Sequence, residues 1–253
     1  MKKKSGLRST HPAIIAVWAA IIAVASLLPA FPIVGTGATF NIGNSLVPLA
    51  GIFFGPLAGA IAAGIGGFIG QLIAPHTVLF GPLQFTISMF GAAMAGFAMQ
   101  RKWQYPFLLI LTLGLVWYAF PLGRQAWGTP LVYTLGFLAI AVGWIFGRSW
   151  LSSPNRMKMF AGIFVASLTG IVTTQAIGNL WAMVMFALPP AIWWSTLALG
   201  PLERFFFAIG SGIIGLPLMI GLPKISIPVG PMIYEEEAED EEEPGTVGTP
   251  GLP

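Results

Sequence analysis

The chain contains no cysteine, which excludes disulfides and thiolate metal sites. Charge is nearly as scarce. Charged residues make up 8% of the 253, against about 25% in soluble domains. Between Ser9 and Gln100 there is no Lys, Arg, Asp or Glu. Such a stretch has nothing with which to face water, whereas it suits a lipid surface. Glu203 is the only carboxylate outside the C-terminal tail, so paired-carboxylate catalysis in the membrane lacks its material. Two histidines, His11 and His76, cannot by themselves make a metal centre. There is no Walker A sequence, no glycine-rich phosphate loop after a strand and no HExxH. These absences argue against an enzyme, a cofactor, a metal and a nucleic-acid partner.

What is present is apolar. Hydrophobic residues make up 56% of the chain, and its mean hydropathy is +0.82. The fold class expected is an all-α, polytopic helical bundle with about 6–8 membrane segments. Helices are expected near 12–30, 45–54, 57–73, 79–99, 105–121, 131–147, 159–187 and 203–221. The second is too short to cross alone. Gly43 and Gly55-Pro56 bound it, so it reads as half of a broken, re-entrant pair with the third. Residues 1–11 form a basic N-terminus, 12–224 a membrane domain and 225–253 an acidic tail. That tail holds eight of the nine acidic residues in Glu235 to Glu243, and like charges with no apolar company favour disorder. The run from Pro12 to Ala30 is longer than a signal-peptide core and reads as a retained helix. With the N-terminus inside, ten of the twelve basic residues fall on the cytoplasmic side, leaving Arg124 and Arg204 outside. An even number of crossings in a cell membrane, with both ends cytoplasmic, follows.

Small residues recur at helical spacing. Ala16 and Ala20 share one face of the first helix, beside the pair Ala19 and Ala23. Gly55, Gly59, Ala63 and Gly67 make one stripe, and Ala62, Gly66 and Gly70 a second, so this helix should be wedged between neighbours. Polar uncharged side chains collect at the expected outer ends: Thr36, Thr39, Asn41, Asn44, Gln71, His76, Gln84, Gln175 and Asn179, with Trp181, Trp193 and Trp194 nearby. Buried amides need hydrogen-bond partners, which a polar ligand or a neighbouring helix can supply. The tryptophans offer flat stacking surface or an interfacial belt. Three separated segments put these groups at one depth, which favours a pocket built from Asn41, Asn44, Gln84, Gln175, Asn179 and Trp181. Glu203 and Arg204, in Pro201-Leu202-Glu203-Arg204 at the expected start of the last helix, read as a structural ion pair.

Ala16-Val17-Trp18-Ala19-Ala20, then Phe53-Phe54-Gly55-Pro56-Leu57-Ala58-Gly59-Ala60, resembles the substrate-binding (S) component of energy-coupling factor transporters. That family shows an AxxxA pair in its first helix and a run like xFGPxxGA. Leu188-Pro189-Pro190 and the Pro201–Arg204 run are similar to the last two helices of some members. The resemblance implies capture of a vitamin-like small molecule from outside, under a loop that follows the first helix. It implies as partners a transmembrane coupling protein, met through Ala16 and Ala20, and two ATPase subunits. The family's usual six helices leave an additional hairpin at 103–150, and the acidic tail is atypical. A stand-alone secondary carrier or channel, an intramembrane enzyme and a structural subunit are the rival readings.

Overall fold

The computed structural model of the chain describes residues 10–33, 37–186 and 188–230. The basic residues Lys2, Lys3, Lys4 and Arg8, Thr36 and the acidic run of the tail lie outside the described residues. Helix α1 spans Pro12–Ala25, with His11 Nδ1 capping the Ala13 N–H at 3.2 Å. It stops earlier than the hydropathy suggests. Ser26 turns its hydroxyl back onto the Ile22 carbonyl at 3.0 Å, and a residue preceding Pro29 is driven towards extended backbone. Strands β1 (Pro29–Pro32) and β2 (Thr39–Asn41) then pair antiparallel. So short a hairpin is marginal alone. It is clipped to the body by rings, with Phe31 on Phe206 at 4.8 Å and Phe40 on Phe207 at 6.0 Å.

Helix α2 (Gly43–Ile73) carries an elbow. Gly55 has φ 83° and ψ 173°, a conformation open essentially to glycine, and Pro56 opens the second arm. The arms fold back on each other, because a side chain on Gly59 would lie 2.6 Å from the Ala50 carbonyl. On a straight helix residues 51 and 59 would stand about 12 Å apart. The first arm, 43–54, is about 18 Å long and cannot cross a ~30 Å hydrocarbon core unaided. The broken pair expected at Gly55-Pro56 is therefore present. The second arm is wedged as its two stripes require: Gly66 against Ala19 and Ile22, Gly70 against Ser26, and Gly67 against Ser88.

Beyond α2 come α3 (Gln84–Met99), α4 (Gln104–Ala119), the short α5 (Pro121–Gln125), α6 (Thr134–Leu151), α7 (Arg156–Met185) and α8 (Pro190–Gly221). Helices α4 and α6 form a hairpin near 103–150. Its connection is tied by Trp117, whose Nε1 donates to the Gly123 carbonyl at 3.0 Å. Among the described residues, five helices are long and apolar enough to cross a membrane: 43–73, 81–99, 129–147, 156–185 and 197–225. Shorter apolar helices occupy Pro12–Ala25 and Gln104–Ala119. The molecule is a multi-pass, all-α membrane bundle.

The largest departure from expectation is α8. It opens at Pro190, not near 203, and places Trp193 and Trp194 in the helix rather than in a loop. Pro190 suits a first helical position, and the uncharged residues that follow give the helix no reason to wait. Pro201 is accommodated because, in a packed membrane helix, neighbours satisfy the carbonyl that a proline frees. Glu203 therefore sits in a helix interior, and no N-terminal macrodipole acts on it. Ser211 Oγ lies 2.7 Å from the Ser45 carbonyl and joins α8 to the first arm of α2.

Candidate functional site

A cavity of about 180 Å³ opens at the end of the bundle that carries the β1–β2 hairpin. A single water needs only about 10–15 Å³, so this space is ligand-sized. Helix periodicity explains which side chains reach it. On α7 the lining residues are Thr174, Gln175, Gly178, Asn179 and Ala182, a stripe at three- and four-residue spacing. On α8 they are Leu199, Gly200, Glu203 and Arg204, preceded by Ile192 and Trp193. The hairpin contributes Thr39, Phe40 and Asn41, and the two arms of α2 contribute Asn44, Val47, Gly67 and Gln71.

Five of the six pocket residues named from sequence, Asn41, Asn44, Gln84, Gln175 and Asn179, line this one cavity. Trp181 does not. It follows Asn179 by two residues, about 200° around the helix, and packs into the aromatic cluster of Phe80, Trp117 and Trp193. Trp193 lines the cavity instead, braced edge-on by Trp117 at 4.9 Å. His76 is exposed and outside the lining.

The amides are not equivalent. Gln84 is spent on its own wall: its Oε1 accepts from Leu79 N at 2.6 Å and Phe80 N at 3.2 Å, while its Nε2 donates to the Thr77 carbonyl at 2.7 Å. Asn44 Nδ2 donates to the Asn41 carbonyl at 3.0 Å, fixing the exit of the hairpin. Gln175 Nε2 donates to Asn179 Oδ1 at 2.6 Å, and Asn179 Nδ2 donates to the Tyr133 hydroxyl at 3.2 Å. Tyr133 comes from the turn before α6 and is fully buried, so the α4–α6 hairpin orients the central amide of the site.

Glu203 and Arg204 do form an ion pair, at 2.9 Å, and it lies in the cavity wall. The Arg204 guanidinium stacks over the Phe40 ring at 4.7 Å, which ties the hairpin to α8. Its Nε is buried with no acceptor, and Gln71 Oε1 is buried with no donor. Buried polar atoms are paired in the great majority of cases, so these two mark unused binding capacity. The sequence signal for Glu203, Arg204 and Trp193 was their shared face at helical spacing, hidden because α8 was expected to begin at 203. Ala16 and Ala20 lie on the exposed face of α1, whereas Ala19 and Ala23 are buried.

One end of the membrane bundle thus holds a ligand-sized cavity walled by amide, aromatic and ionic side chains. Residues 8–121, a little under half of the chain, match the family described as the ECF-type riboflavin transporter, S component. Over that stretch the chain is similar to the S components of energy-coupling factor transporters. The chain is also 25% identical over 179 residues to the uncharacterized protein MJ0923 of Methanocaldococcus jannaschii, covering 71% of this chain and 60% of that protein. It thus spans less than two-thirds of that relative's length. No solved structure matches.

Proposed function

We propose that this protein is the substrate-capture subunit of an ATP-driven micronutrient importer, taking a small heteroaromatic compound of the riboflavin class into the cavity beneath the β1–β2 hairpin. The observation that carries the reading is the convergence of Asn41, Asn44, Gln175 and Asn179 on one ligand-sized cavity. The family match, whose name specifies riboflavin, supports the same chemistry. Trp193 and Phe80 supply ring surface, the amides supply edge hydrogen bonds, and Arg204 Nε–H waits for an acceptor. The hairpin end faces outward. Arg101, Lys102, Arg156, Lys158 and Lys224 follow or precede helix ends at the opposite, elbow end, which suits the cytoplasm. The exposed Ala16–Ala20 face of α1 meets a transmembrane coupling protein, and two ATPases supply the energy.

The test is direct. Titrating the detergent-purified protein with riboflavin should quench flavin fluorescence, and riboflavin at 100 times its Kd should add about 2.7 kcal/mol of stability. Asn179→Leu, which breaks the chain from Gln175 to Tyr133, should weaken binding at least tenfold. A well-folded sample stabilised by no micronutrient defeats the reading. One observation favours a second reading, a self-sufficient carrier: a carboxylate, Glu203, lies in the cavity wall of a membrane bundle. Solute uptake by the protein alone in liposomes, driven by an ion gradient without ATPases, would select it.

A further inference from the structure

Most polar groups around the cavity are already committed. Gln84, Asn44, Gln175 and Asn179 bond to one another or to backbone, Thr77 donates to the Ala74 carbonyl, and Ser26 to that of Ile22. The Nε of Arg204 and the Oε1 of Gln71, both buried in the lining, have no hydrogen-bond partner. They belong to different walls. Arg204 stands where α8 meets α7 and the first arm of α2, sharing a small side cavity with Asn44, Pro48, Gly170 and Thr174. Gln71 stands on the second arm of α2, one turn from Gly67, whose face adjoins Ser88 and Phe85 of α3.

The two demands differ in kind. A guanidinium N–H can only donate, so Arg204 asks for a carbonyl or ring-nitrogen acceptor. The Gln71 amide oxygen asks for a donor. If its amide is rotated, the same position offers an N–H and asks for an acceptor. A hydroxyl satisfies either orientation because it both donates and accepts. A carbonyl satisfies only one. Ser88, on the adjoining helix, adds a further hydroxyl to this wall.

We infer that Gln71 is a specificity-determining residue that binds the hydroxyl-bearing chain of the ligand, so that the cavity selects a heteroaromatic ring carrying a polyol substituent over the bare ring. The inference rests on the riboflavin-class reading above and assigns its two halves to two walls: ring edge towards Arg204, hydroxyls towards Gln71. Gln71 makes no hydrogen bond that the fold needs, so removing its amide costs binding rather than folding.

The experiment uses the full chain in detergent with two probes, riboflavin and lumichrome, which share the tricyclic ring while only the former has a ribityl chain. Affinity is read by flavin fluorescence and calorimetry, and folding by the melting temperature without ligand. The wild type should bind riboflavin at least tenfold tighter than lumichrome. Gln71→Met, close in length and apolar, should weaken riboflavin about tenfold, leave lumichrome unchanged and keep the ligand-free melting temperature. Gln71→Leu serves in the same way if the methionine variant folds poorly. Equal wild-type affinities for the two probes overturn the assignment while leaving the capture reading standing. So does a Gln71 variant that weakens both probes alike or neither. Binding of neither flavin by the wild type overturns the assignment together with the riboflavin-class reading.

Discussion

The two halves of the bundle are packed by different means. At several glycines around α2 and α3 the helices touch backbone to backbone. A side chain on Gly51 would run into the Ala92 carbonyl, one on Gly96 would sit 2.6 Å from Pro56 Cα, and one on Gly170 would sit 2.6 Å from the Gly91 carbonyl. Within helices α4 and α6 themselves the glycines face side chains. Gly136 looks onto Val172 Cγ1 at 2.8 Å, Gly147 onto the Trp103 ring at 3.0 Å, and Gly114 onto Tyr133 at 3.7 Å. A backbone atom yields only if its helix moves, whereas a side chain can rotate. The α1–α3 side of the cavity is therefore a rigid frame. The α4–α6 side is a compliant brace that reaches the site through Tyr133 and Trp117.

Substitutions that add one methyl group measure this difference. Gly51→Ala should be the most damaging, with a loss of about 3 kcal/mol or failure to fold, since overpacking against backbone has no relief. Its denaturation midpoint in detergent is the readout. Gly136→Ala should cost about 1–2 kcal/mol as Val172 and Ile110 adjust. Gly147→Ala should fall below about 1 kcal/mol, because the Trp103 ring can tilt away. Gly114→Ala meets only an ordinary contact and removes glycine entropy, so a gain of about 0.5 kcal/mol is expected. If Gly136→Ala proves as costly as Gly51→Ala, the hairpin is as rigid as the frame and the contrast fails.

The frame was largely legible in the sequence, because its signals are local. Gly55-Pro56 marks the elbow, and four-residue spacing of Gly and Ala in 55–70 marks a helix touched on two faces. Five amides that share the cavity were also readable, since polar residues in an uncharged stretch stand out. What was missed depends on distant partners or on tolerated rule-breaking. The β1–β2 strands are four and three residues long, and β1 begins and ends in proline, so neither has a pattern long enough to read. Tyr133 reaches Asn179 across 46 positions in the chain. Pro201 has the look of a helix start but is an interior residue of α8, which hides the place of Trp193, Glu203 and Arg204 in the cavity wall. Trp181 was placed by proximity to Asn179 rather than by its angle around α7.

One contact at the elbow end reaches beyond the bundle. In an unbroken helix the Phe53 carbonyl would accept from Leu57; here it accepts from the Gly230 N–H at 2.9 Å, and Gly230 adopts φ +63°. The last described residue is thus stitched to the point where α2 reverses. Glu235 follows five positions later, so the acidic run has a surveyed root. Any body that grips those glutamates pulls on a chain anchored at the elbow.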